Sequence, residues 1–232
     1  MFRLATCLLL FLFIAVYCSS VTLADVDIMI PQSSFSNYSS LESYWGYLYP
    51  WGTSHNGAAL MLGNSSYHEN IYLNNSVLTL KATRNNSQIN GRIFDYLSGT
   101  NYGKELIEVN SQYPNYLICA FWLTCTTWPP EVDMLEFKGS TLNNFNIYIN
   151  QTVPTYSDQI NITSPNDWNT FCFYMNMINN DDVNVTLSIN NMTNITHTAE
   201  DFVGKQFWLI IDLQMEGSSG SPGPFNDTFY YL

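Results

Sequence analysis

The sequence predicts an all-β protein, an antiparallel β-sandwich, and three observations lead there. Polar and apolar residues alternate with period two over much of the chain, stretches with helical periodicity are scarce, and turn-forming clusters recur between the alternating runs. In order, Ile71 to Arg84 reads as a strand, an Asn-Asn turn and a second strand. That second strand puts Val77, Thr79 and Lys81 on one face and Leu78, Leu80 and Ala82 on the other. Lys104 to Val109 alternates likewise, and Tyr116 to Thr124 is a continuous apolar run, as a buried strand requires. Further strands are expected at Glu131 to Phe137, Asn146 to Asn150, Thr170 to Met177, Val183 to Ile189 and Phe207 to Leu213. Asn90-Gly91, Ser98-Gly99, Asn179 to Asp182 and Ser218 to Gly220 supply turn signals between them. No linker, repeat or low-complexity block interrupts the pattern, so residues 25–232 are expected to form a single domain.

Composition narrows the function. All 19 acidic residues follow Ala24, against six basic ones, so residues 25–232 carry a net charge of −13. With no basic run, nucleic acid and anionic membrane surfaces are excluded as expected partners. Charged residues make up 11% of the chain, against about 25% in an average soluble domain, yet 16% aromatic and 46% apolar residues speak against disorder. Neutral groups carry the polarity, 27 asparagines among them.

Residues 1–24 read as a secretory signal. Arg3 precedes an apolar run from Leu8 to Tyr17, and Thr22-Leu23-Ala24 offers small residues for cleavage after Ala24. The run is shorter than the roughly 18 to 20 apolar residues of a membrane anchor. An extracellular, soluble protein is therefore expected, with no membrane contact after cleavage. Ten Asn-x-Ser/Thr sequons, at Asn37, Asn64, Asn74, Asn85, Asn150, Asn161, Asn184, Asn191, Asn194 and Asn226, suit a glycosylated surface. Beyond the signal remain Cys119, Cys125 and Cys172, which allow at most one internal disulfide or serve as small buried side chains. Their spacing matches no zinc pattern, and neither a metal ion nor another cofactor is expected. The protein is expected to be a monomer.

One segment concentrates charge: Trp128-Pro129-Pro130-Glu131-Val132-Asp133-Met134-Leu135-Glu136-Phe137. On a regular strand Glu131 and Asp133 share a face and Glu136 opposes them. One extra residue, a bulge at Met134-Leu135, brings Glu136 back to their side. Three acids on one concave face repel one another and push at least one pKa up, giving an ionised carboxylate beside a protonated acid. Retaining glycoside hydrolysis needs that pair. A solvated acidic edge or a calcium site is the plainer alternative reading of the same residues.

WPPEVDMLEF resembles the active-site strand of glycoside hydrolase family sixteen, whose laminarinase-like members carry Glu-x-Asp-x-x-Glu with a bulge. VLTLKATR, SGTNYGKELIEV, ICAFWLTCTTW, WNTFCFYM with VNVTLSINN, and FWLIIDLQMEG resemble segments of the same family in the same order. The departures are Lys104 where arginine is usual, no histidine before Phe171, Asp212 where asparagine is common, and Glu216 where a glycine is. The resemblance implies a concanavalin A-like β-jelly roll of two antiparallel sheets with a concave substrate cleft. It also implies Glu131 as nucleophile, Glu136 as general acid/base and Asp133 tuning both. The substrate it implies is a β-glucan cleaved internally with retention, with the bulged motif pointing to β-1,3 linkages. Trp128 is the expected sugar-stacking residue, with Trp122 and Tyr148 as further substrate-binding candidates; an indole face suits the apolar face of a pyranose. Two rivals share the fold: a lectin-like binding module with idle acids, and a transglycosylase that passes the glycosyl group to another sugar. Gly-x-Ser-x-Gly and His-Glu-x-x-His are both absent, which sets serine and zinc hydrolases aside.

Overall fold

The period-two pattern becomes two stacked sheets. A computed structural model of the chain describes residues 30–52, 59–61, 68, 70–85, 88–91, 93–98, 103–111, 118–138, 140–164, 167–214 and 228–231. Its strands are β1 (Ala59–Met61), β2 (Ile71–Asn74), β3 (Val77–Asn85), β4 (Gln88–Gly91), β5 (Ile93–Ser98), β6 (Gly103–Ser111), β7 (Ile118–Cys125) and β8 (Glu131–Lys138). They continue with β9 (Leu142–Tyr148), β10 (Tyr156–Asn161), β11 (Asn169–Met177), β12 (Val183–Ile189), β13 (Thr193–Ala199), β14 (Phe207–Gln214) and β15 (Thr228–Tyr231). One sheet runs β1-β4-β3-β15-β6-β11-β12-β13, with β2 also on β3; the other runs β10-β9-β8-β7-β14-β5. Every named pairing is antiparallel except β1 with β4. Among the described residues no helix is long and apolar enough to cross a membrane.

The core lies between the sheets. Phe121, Val132, Leu135, Phe137, Phe145, Ile147 and Leu213 of the six-stranded sheet meet Phe171, Phe173, Val185 and Leu187 of the other in one buried cluster. Phe137 and Phe171 pack edge to face, ring centroids 6.5 Å apart. Each such side chain contributes about 1.5–3 kcal/mol by leaving water. At one border the sheets are also clasped by polar groups, since His197 Nε2 on β13 stands 2.6 Å from Asp158 Oδ2 on β10 and its ring stacks on Tyr156. Cys125 and Cys172 are buried free thiols, so the small-side-chain reading holds for both.

Several local readings need correction. The first hairpin turns at Asn75-Ser76, one residue later than the sequence suggests, and both residues take positive φ, 50° and 62°. Two left-handed residues match the strand twist in a two-residue hairpin, and asparagine tolerates that conformation. Asn90-Gly91 is not a turn but the end of β4, where Asn90 pairs with Thr83 and Gly91 with Met61. β9 begins at Leu142 and stops at Tyr148 rather than spanning Asn146 to Asn150; its asparagines are poor strand formers that hide its start. The Ser218 to Gly220 turn signal lies outside the described residues.

The N-terminal part of the described chain is helical, which the pattern did not announce. A 3₁₀ turn at Gln32–Phe35 leads to α1 (Tyr38–Tyr44), capped by Asn37, whose side chain accepts the Ser40 N–H at 2.9 Å. Seven residues are too few for helical periodicity to stand out. Leu41, fully buried, anchors the helix, and the segment then lays Tyr49 and Trp51 against the β14 side of the six-stranded sheet.

Candidate active site

β8 is central in its sheet and irregular. Against β7, Leu135 pairs with Phe121 and Asp133 with Trp122, so Met134 is the extra residue; against β9, four steps from Asp133 to Phe137 match three from Asn146 to Asn143. That is the bulge at Met134-Leu135 that the motif calls for, and both of its apolar side chains are buried. A bulge leaves backbone groups without ladder partners. Buried Asn143 meets two of them: its Oδ1 accepts the Glu136 N–H at 2.9 Å, and its Nδ2 donates to the Met134 carbonyl at 3.2 Å. Asn144 Nδ2 donates to the Glu136 carbonyl at 3.0 Å.

The result puts Glu131, Asp133 and Glu136 together on the floor of an open cleft of about 510 Å³. Asn146, opposite Asp133 on β9, donates through Nδ2 to Asp133 Oδ2 at 3.0 Å and to Glu136 Oε2 at 3.1 Å, and is itself held by Ser157 Oγ at 2.8 Å. Lys138 Nζ lies 3.0 Å from Glu136 Oε1. Asp133, 7% exposed, is held well above the ordinary carboxylate range, first by burial and then by the charges of Glu131 and Glu136; the Asn146 hydrogen bond and Lys138 oppose the shift. Burial and like charge both favour the protonated form of this carboxyl.

Aromatic groups wall the cleft. Trp128, 47% exposed, sits 5.8 Å from Tyr148, and both line it. Trp122 also lines it but is 3% exposed, with its indole N–H donating to Asp212 Oδ2 at 3.3 Å, so it offers an edge rather than a free face. The exposed wall on that side is Trp51, 46% exposed, stacked on Tyr49 at 4.8 Å and flanked by Trp122 and Trp208. Buried Asp212 accepts the Tyr49 O–H at 2.6 Å.

Sequence reasoning thus collected the three acids, Trp128 and Tyr148, but not Trp51, Asn143, Asn146 or Lys138, and it noted Asp212 only as a departure. Two of these had a signal. Lys138 is two residues beyond Glu136, and Asn146 two before Tyr148, each on the same strand face as a residue already singled out. Trp51 and Asn143 had none.

No family profile matches the chain. It is 35% identical over 234 residues to a galactan endo-β-1,3-galactanase of Flammulina velutipes, covering 89% of this chain and 88% of that protein. Among solved structures, a family-sixteen endo-glucanase of Bacteroides ovatus shares the fold at TM-score 0.58 and 18% identity, covering 82% of this chain and 92% of that one. The chain belongs to glycoside hydrolase family sixteen. A laminarinase of Flavobacterium sp. UMI-01 superposes on this family-sixteen chain with TM-score 0.65 at 14% identity, over 82% of this chain and 91% of the other. The two-sheet architecture is therefore the jelly roll that the family motif implied. As a member of family sixteen the protein is a glycoside hydrolase, acting on β-linked polysaccharide.

Proposed function

We propose that this glycoside hydrolase cuts β-1,3-linked polysaccharide internally and with retention, with Glu131 as nucleophile and Glu136 as general acid/base. The observation that carries the reading is the bulge, which gathers Glu131, Asp133 and Glu136 on one face at the floor of an open, aromatic-walled cleft. An open trough suits a polymer bound along its length, and exposed Trp128 and Trp51 provide apolar faces for pyranose rings. In the first step Glu131 attacks the anomeric carbon while Glu136 protonates the leaving oxygen. In the second, water attacks and Glu136 takes its proton. Asp133, whose carboxyl is pushed toward the protonated form by burial and then by the two glutamates, stands between them in the sequence.

The similarity to a β-1,3-galactanase supports galactan over the glucan that the motif alone suggested, with the same linkage. Export through residues 1–24 is part of this reading, supported by the exposure of the sequon asparagines Asn37, Asn74, Asn150, Asn161 and Asn191. The test is to recover the enzyme from the medium of a secreting host, where its first residue should be Asp25. It is then incubated with β-1,3-galactan, laminarin, lichenan, xyloglucan, agar and carrageenan. Short β-anomeric products from β-1,3-galactan are expected. Faster cleavage of laminarin returns the assignment to β-1,3-glucan, α-anomeric first products overturn retention, and cleavage of none overturns the reading.

A further inference from the structure

Lys138 closes β8, two positions beyond Glu136 on the same face, inside the cleft. Its Nζ stands 3.0 Å from Glu136 Oε1, while Asn146 Nδ2 donates to Oε2 at 3.1 Å, so both oxygens of that carboxylate meet donors and one donor is charged. Cations are scarce here, since only six lysines and arginines follow Ala24. The other titratable groups facing this place are Glu131 and Asp133 on β8, Tyr148 on β9 and Cys125 at the end of β7. Beyond Ala120 comes Asp212 on β14, with Tyr49 upon it. Burial, then the charges of Glu131 and Glu136, push the Asp133 carboxyl toward its protonated form, and burial pushes the Cys125 thiol up to about 11, so that thiol adds no negative charge near neutrality. Glu131 shares the cleft floor, five residues before Glu136 on the same strand, whereas Lys138 touches that carboxylate. Coulomb interactions weaken with distance, so the ammonium in direct contact outweighs it.

We propose that Lys138 is a positioning residue of the reaction: its ammonium holds Glu136 as the carboxylate in the resting enzyme and thereby sets the pH above which the first step fails. The inference rests on Glu136 being the acid/base. In that step Glu136 must carry a proton, taken from solvent, and release it to the departing glycosidic oxygen; in the second step the carboxylate takes a proton back from water. Lys138 favours the form needed second and disfavours the form needed first, which moves activity toward acid pH. An opposite charge in contact typically shifts a carboxyl by about one to three pH units, and the one-third exposure of Lys138 puts the effect at about one.

The experiment compares kcat/KM against pH on the polymer for the full enzyme, Lys138→Met and Lys138→Arg. The alkaline limb should rise by about one pH unit in Lys138→Met and stay near its original place in Lys138→Arg, with melting temperatures checking that both variants fold. An unmoved limb in Lys138→Met overturns the proposal, whatever happens to kcat. Glu136→Gln runs alongside. If it loses polymer cleavage while the Lys138→Met limb stays put, the Lys138 proposal alone falls. If Glu136→Gln cleaves polymer normally, the acid/base assignment falls and takes the proposal with it.

Discussion

β8 and β14 flank the same strand, β7, and each turns a buried aspartate toward the cleft. β14 pairs with β7 over eight consecutive residues without a shift, and its Asp212 is met by neutral donors, the Tyr49 hydroxyl and the Trp122 indole. β8 breaks register in the middle, and its Asp133 is pushed toward the protonated form first by burial and then by the carboxylates around it. A regular strand can host a buried carboxylate when donors arrive from distant chain. To bring three acids to one face within six residues the strand must give up its ladder locally, and a buried asparagine from β9 takes over the lost bonds. The reactive half of the cleft is thus held by irregular backbone, while Asp212 sits on regular backbone and is held by side-chain donors that reach it.

The sharpest way to break this contrast is to remove the acids that only β8 supplies. Glu131→Ala should abolish turnover of every substrate. Glu136→Ala should lose about 10²- to 10⁴-fold on polymer, the usual worth of general-acid help, but far less on an aryl glycoside with an acidic phenol. Azide should then accelerate the Glu136→Ala variant and yield a β-glycosyl azide. Assays on both substrates, with and without azide, decide it; sparing of the Glu131 variant on the aryl substrate would reverse the roles.

A smaller effect tests the backbone itself. Asn143→Ala leaves the Glu136 N–H and the Met134 carbonyl without their side-chain partner. Each orphaned buried group costs about 1–3 kcal/mol, so melting should fall by at least about 4 °C in a chain this long. The gap between wild type and variant in calorimetry measures how far the bulge depends on that side chain; an unchanged melting temperature would mean it does not.

The smallest expected effect concerns the like charges. The folded-state proton affinity of Asp133 is raised, so between its ordinary pKa of 3.8 and its higher folded value the native state holds a proton that the unfolded chain has released. Stability contributed by this group is therefore present below the ordinary pKa and lost as pH rises through the folded one. Asp133→Asn removes that loss. It should melt higher than wild type at pH 7 and by a smaller amount at pH 3, even as activity drops. Equal shifts at both pH values would mean that the charge is not what matters.

How much of this was legible follows from the same physics. Val183 to Ile189 was bounded to the residue because its alternation is strict, and the bulge was readable because three acids must share a face to be useful together. The edge strands β10 and β13 escaped notice. Edges carry polar residues that blunt further pairing, and YSDQIN and TNITHTA look like loop. Asn143 and Asn146 were hidden among 27 asparagines, since nothing local separates a buried bridging amide from a solvated one. Tyr49 lies 163 residues from its partner Asp212, and no pattern in one sequence reaches that far.

The place of β15 bears on the order in which the molecule can be assembled. Residues 228–231 come last among those described, yet they sit between β3 and β6, inside the nine-stranded sheet rather than at its border. During synthesis the strands on either side of that gap can each form, but they have no common neighbour until residues 228–231 follow them. Pairing across so much chain is slow and leaves strand borders open in the meantime. The sheet of the nascent hydrolase is therefore closed from its flanks inward, and the strand borders facing the gap stay open to wrong pairing until those four residues are in place.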